Sequence, residues 1–274
     1  MRFVRTYVPP FLSLLLAFFA LSLEGPAFSE QTAPSTSSSP QALARLQKSL
    51  ATLTGGQSIT DITLSGAARR IAGSDDESGT ATLKALATGS MRLDFSFPSG
   101  ARSEVRANST DGPSGDWSGP DGTSHSISTH NLFTDWGWFP AFTLLSVNSS
   151  ANTLVTYVGQ ENRNGHSVYH LSVSKQFPQM SAKTAALTQH LSQMDIYLDA
   201  STSLPVSLVY KTHPDNDAGL DLPVEIDFSD YRVANGAQIP FHVQKYLNNS
   251  LYLDLQFQSI AVNTGLTAGA FTVQ

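Results

Sequence analysis

The sequence contains no cysteine. That excludes disulfides, thiolate metal sites and a lipid attached to an N-terminal cysteine. A chain without such staples must be held together by its apolar core. It is also short of charge, which makes up 14% of residues, with 16 basic against 22 acidic side chains. The formal net charge of −6 argues against nonspecific binding to nucleic acid or to an anionic membrane surface. There is no Gly-x-Ser-x-Gly elbow, and no glycine-rich phosphate loop follows a predicted strand. No cofactor and no catalytic residue are expected, and the chain is read as a non-enzyme. Beyond the N-terminus no apolar run is long enough to cross a bilayer as a helix.

The N-terminus itself has the form of a secretory signal peptide over residues 1–29. Arg2 and Arg5 precede the uncharged run Phe11–Leu23, and Ala27 and Ser29 place small residues before a cleavage point after Ser29. The run is short for a membrane span, so cleavage is expected rather than anchoring. Loss of Arg2, Arg5 and Glu24 with the leader makes the remaining chain one unit more negative. A periplasmic or secreted location follows as an expectation. Residues 30–40, rich in Ser, Thr, Pro and Ala, read as a disordered linker. Residues 41–274 are expected to form a single domain.

That domain opens with a helix over 41–54. Leu43, Leu46, Leu50 and Leu53 recur at spacings of three and four, and Gly55-Gly56 ends the pattern. From Ser58 onward the period changes to two, the mark of half-buried strands. Met91, Leu93, Phe95 and Phe97 alternate with polar residues, as do Val224, Ile226 and Phe228. Asn164-Gly165 and Asn235-Gly236 supply residues that accept positive φ in tight hairpins. Gly73–Gly79 reads as an acidic turn, and Asp111–Gly122 as a loop or short hairpin. Pro240 lacks an N–H, which predicts that its strand lies at an edge or starts beside one. In the last strand Leu251, Leu253, Leu255 and Phe257 hold odd positions, whereas Ile260 and Val262 hold even ones. A β-bulge near Gln258-Ser259 would keep both sets inward.

Two segments break the β pattern. His130–Leu145 crowds Leu132, Phe133, Trp136, Trp138, Phe139, Phe142, Leu144 and Leu145 together and reads as one or two short helices interrupted at Gly137 and Pro140. Met180–Leu191 reads as a helical insertion. The sum is a mainly β fold: roughly ten strands in a long antiparallel meander, curled, with helices plugging its concave side.

Candidate chemistry is sparse. His166 and His170 share one face of a strand and could hold zinc with a nearby acid, but no metallohydrolase spacing accompanies them, and they read as polar residues on a solvated face. His125 and His130 are read the same way. The acidic residues lie in turns or at outward positions, where a glycosidase-type pair cannot be matched from sequence. Asn108, Asn148 and Asn248 carry the N-glycosylation pattern. The aromatic cluster reads as a plug over the curved sheet, and equally as a lid over an apolar cavity.

Four stretches carry a resemblance to a known family: ALARLQKSLATL (42–53), SMRLDFSFPSGARSEVRA (90–107), MDIYLDASTSLPVSLVYK (194–211) and DFSDYRVANGAQIPFHV (227–243). In pattern they resemble the periplasmic outer-membrane lipoprotein carriers of the LolA/LolB type. The resemblance implies an incomplete barrel of about eleven antiparallel strands covered by helices, with a concave face that receives acyl chains. It also implies a non-enzymatic carrier whose partner is an acylated lipoprotein or lipid-like ligand, with an envelope protein as a further candidate partner. Arg92, Arg102 and Arg106 lie in the corresponding hairpin without an assignable role. The ligand-binding residues expected on this reading are Leu93, Phe95, Phe97, Ile196, Leu198, Ile226, Phe228, Leu253 and Leu255, with Trp136, Trp138, Phe139 and Phe142 as the cover. Two alternatives stay open. One is a dry-cored envelope module that binds proteins through loops 111–124 and 213–221; the other is a secreted hydrolase using scattered Asp and His.

Overall fold

The computed structural model describes residues 37–134 and 137–272. Thirteen strands form one antiparallel sheet. The first six are β1 (Asp61–Ala72), β2 (Asp75–Leu86), β3 (Met91–Phe97), β4 (Gly100–Ser109), β5 (Gly112–Ser118) and β6 (Ser124–Ser126). They meander outward in one direction from β1. The remaining seven are β7 (Thr153–Arg163), β8 (His166–Lys175), β9 (Met194–Asp199), β10 (Pro205–Thr212), β11 (Leu222–Ala234), β12 (Ala237–Leu247) and β13 (Ser250–Val262). They return from the opposite edge until β13 pairs with β1. The first and last strands thus meet in the middle, and β6 and β7 are the free edges of a curled, open barrel.

This order obliges the chain to travel from one edge to the other, across the sheet. The crossover holds a 3-10 turn (Thr129–Leu132) and helix α2 (Pro140–Ser149). Helix α2 has almost no polar face; Pro140, Ala141, Phe142, Thr143, Leu144 and Val147 are all buried. A helix apolar on every side belongs in a core. Pro140 occupies its first turn, where a missing N–H costs nothing. Gly137 lets the backbone press against the sheet, since a Cβ there would sit 2.8 Å from Leu208 Cδ1. Arg106, buried in β4, donates to the carbonyls of Leu132 and Thr134 and ties the crossover to the first meander.

Helix α1 (Pro40–Thr54) buries Ala42, Leu46 and Leu53 against this layer. Ser39 caps it by accepting from Ala42 N, and Gly55 ends it in the left-handed conformation. Gly55 has a second role: a Cβ on it would strike Gly236 O, in the β11–β12 turn. Just before α1, Ser38 and Ser39 bond to Val155 on edge strand β7, which occupies part of that open edge. The other edge, β6, is only three residues long. Helix α3 (Ala182–Ser192) packs outside this layer against β8.

Several expectations are met. Asn164-Gly165 and Asn235-Gly236 both turn with positive φ. Between Ser65 and Gly66 the β1 pairing steps from Ser259 to Phe257, which leaves Gln258 as the bulged residue at the predicted place. Others are corrected. The sheet has thirteen strands rather than about ten: of the two readings open for the stretch after Asp111, the hairpin is the one taken, β5–β6 around Pro120-Asp121-Gly122, held by backbone pairing that needs no apolar alternation. The acidic turn shrinks to Gly73-Ser74, and Asp75–Gly79 pairs along β1. Strand β12 is interior; its pairing with β13 starts only at His242, so Pro240 is spared a ladder bond it cannot make. A second register shift, opposite Lys245 and Tyr246, makes Tyr252 the extra residue of β13. Tyr252 packs against the core there, and Leu251 does not continue the inward row of Leu253. The leader, Trp136 and residues 30–36 lie outside the described residues.

Candidate functional site

The inner face of the sheet has two ends with different contents. At the end marked by the Asn235-Gly236 turn, α1 and α2 lie over the strands. There Trp138, Phe139, Phe142, Ile226, Phe228 and Leu255 belong to one continuous buried core. Phe139 and Phe142 meet edge to face, with centroids 4.8 Å apart.

At the opposite end, among the described residues, neither α1 nor α2 lines the sheet, and a half-open cavity of about 600 Å³ remains. Register places its floor: Arg70 opposes Leu253, Leu253 opposes Lys245, Val224 opposes Leu247, and Tyr210 opposes Val224. Phe95, Trp117 and Ile127 complete an apolar wall. Lys245 sits where the two ends meet, with its Nζ 5.0 Å from the Trp138 ring and 6.0 Å from the Tyr252 ring.

The electrostatics of the cavity favour a cation. Burial pulls the Lys245 ammonium down, but Glu104, Tyr210 and Tyr252 outweigh it and hold its pKa above the ordinary value. Among the described residues no carboxylate lies within ion-pair distance of Lys245, whereas Arg70 and Arg102 share Glu77 at 3.2 and 3.6 Å. Burial pushes the Tyr210 phenol up, so it remains a hydroxyl donor. The arrangement can therefore bury an apolar tail and meet an anionic group with Lys245 and tyrosine hydroxyls.

Twelve of the thirteen residues expected to bind ligand are described, all but Trp136, and they divide accordingly. Phe95 and Leu253 line the cavity. Leu93, Phe97, Trp138, Phe139, Phe142, Ile196, Leu198, Ile226, Phe228 and Leu255 are buried in the packed core. Sequence reasoning missed Lys245, Arg70 and Tyr210. The signal was available for Lys245, which continues the inward alternation Ile239, Phe241, Val243. A charge at an inward position needs a cavity or a partner.

On the outer face, His166 and His170 face different carboxylates, Asp199 at 3.9 Å and Asp195 at 3.1 Å. Glu225 and Asp227 also point outward, and Arg163 binds Glu225 at 2.6 Å. Burial, with the Glu225 charge beside it, pushes Asp227 up to about 7.

No protein-family model matches the chain, and no curated protein does. Solved structures do. A domain named for outer membrane lipoprotein sorting, from Vibrio parahaemolyticus, superposes with a TM-score of 0.54 at 12% identity, over 84% of this chain and 96% of that one. The likeness is distant and extends to proteins of the LolA superfamily. A LolA superfamily protein from Nitrosomonas europaea gives 0.51 at 11% identity, over 84% and 97% of the two chains. A DUF1329 family protein from Desulfovibrio piger gives 0.53 at 13%, over 85% and 99%. At these identities the likeness is one of fold. Among the described residues, no helix is long and apolar enough to cross a membrane.

Proposed function

We propose that the protein is an exported, non-enzymatic carrier that holds an acylated or otherwise apolar ligand bearing an anionic group. The observation that carries this reading is the half-open cavity at the uncovered end of the inner face, with apolar walls and the Lys245 cation at its floor. Its volume of about 600 Å³ falls in the range of small-molecule sites. Affinity would come from burying alkyl chain, at about 0.8 kcal/mol per CH₂, and orientation from Lys245. The LolA-like fold and the leader-like N-terminus support a periplasmic setting and an acylated lipoprotein or lipid as cargo. Native mass spectrometry of protein purified from an envelope fraction, followed by organic extraction, tests this. A co-purifying mass of lipid or lipopeptide size supports the carrier. A clean apo mass, with no uptake of a fluorescent fatty acid, refutes it.

A second reading, an envelope module that binds proteins, draws on the fact that ten of the expected ligand residues are packed into the core. It gains if the apo result is obtained.

A further inference from the structure

Three side chains from separate parts of the chain converge at the rim of the cavity. His190 lies in the last turn of α3, His213 directly follows β10, and Asp221 directly precedes β11. His190 Nε2 and His213 Nε2 lie 3.0 and 3.2 Å from the same oxygen, Asp221 Oδ1. One donor atom from each residue falls within 4.8 Å of the other two. A zinc ion holds imidazole and carboxylate ligands at about 2.0–2.2 Å in a tetrahedron, which sets the ligand atoms roughly 3.3 Å apart. The spacing around Asp221 Oδ1 is close to that value.

His213 fixes one corner of the cluster: its side chain is 1% exposed, and the ring turns Nε2 away from solvent toward Asp221 Oδ1. Lys211 takes Asp221 Oδ2 and leaves Oδ1 toward the histidines.

We propose that His190, His213 and Asp221 bind one divalent transition-metal ion of the zinc type, with water as the fourth ligand. Two nitrogens and one carboxylate suit zinc, whereas calcium and magnesium require oxygen ligands. The ion would pin α3 and the 213–221 loop to the cavity rim, where His213, Pro214 and Asp215 already form part of the wall. This site does not depend on the carrier reading, because its ligands and its probe are separate from the lipid.

The test is zinc titration calorimetry on the purified protein free of affinity-tag histidines, with magnesium as control, together with the absorption spectrum of the cobalt-loaded protein. One equivalent of zinc, no magnesium binding and tetrahedral cobalt bands are expected. His190→Ala and Asp221→Asn should each weaken zinc at least tenfold, and both side chains are exposed enough to change without loss of fold, which circular dichroism checks. His166→Ala should leave binding unchanged. Absence of zinc binding, equal affinity in His190→Ala and Asp221→Asn, or loss of binding in His166→Ala would each overturn the proposal.

Discussion

The covered end and the open end of the inner face are built by the same strands with the same alternation, yet one is solid and the other hollow. On β12, Ala237, Ile239 and Val243 are buried, whereas Lys245 and Leu247, further along the same inward row, face the cavity. On β1, Ile62 and Leu64 are buried and Arg70 is at the cavity wall. What differs is the cover. Helices α1 and α2 line only the solid end, whereas the hollow end is touched by the crossover around its 3-10 turn, through Ile127, Asn131 and Thr134, and the strands there carry amphipathic side chains. Binding capacity here is set by where α1 and α2 lie rather than by how apolar the strands are.

The comparison breaks most visibly if the solid end proves soft. Phe139→Ala, at a fully buried position, should cost about 3–5 kcal/mol of unfolding free energy in urea denaturation. A loss below about 1 kcal/mol would mean that the aromatic cluster is a movable lid and the solid end can open.

The next effect belongs to the hollow end. Lys245→Met should lower affinity for a fluorescent fatty-acid anion about tenfold, since a hydrogen bond to a charged group is worth about 1.5–3 kcal/mol. Stability should change little, and affinity for an uncharged acyl alcohol should hold. An unaltered affinity for the anion would remove Lys245 from the site.

A third contrast sets inner against outer face on one strand, β11. Asp227 titrates near 7 in the folded protein against an ordinary 3.8. The folded state then binds the proton more tightly than the unfolded state does. Its contribution to stability is present at low pH and is lost as pH rises from about 4 to about 7. Asp227→Asn should therefore be more stable than the parent at pH 8 and indistinguishable from it near pH 4. Thermal melts across that window decide the matter, and a parallel pair of curves would count against the shifted carboxyl.

The smallest effect is at the edge. Trp117, exposed on β5 and stacked on His125 at 4.2 Å, also borders the cavity. Trp117→Phe should alter stability by less than about 0.5 kcal/mol. It should also abolish much of the fluorescence change that ligand produces. A full signal in this variant would place the ligand away from β5.

Local chemistry was legible in the sequence. Period-two alternation located most of the strands, Asn-Gly pairs located hairpin turns, and the switch in parity beyond Phe257 located the Gln258 bulge. These features depend on neighbours in the chain, so residue type and spacing alone determined them. Tertiary structure decided the rest. Closing β1 on β13 joins residues almost two hundred positions apart, and no local pattern encodes that choice. It placed Pro240 on an interior strand, turned Tyr252 inward in place of Leu251, and buried α2 in the core. The cavity floor and the His190, His213 and Asp221 cluster exist only through those long-range placements, because each draws its side chains from elements that meet only after the sheet has formed.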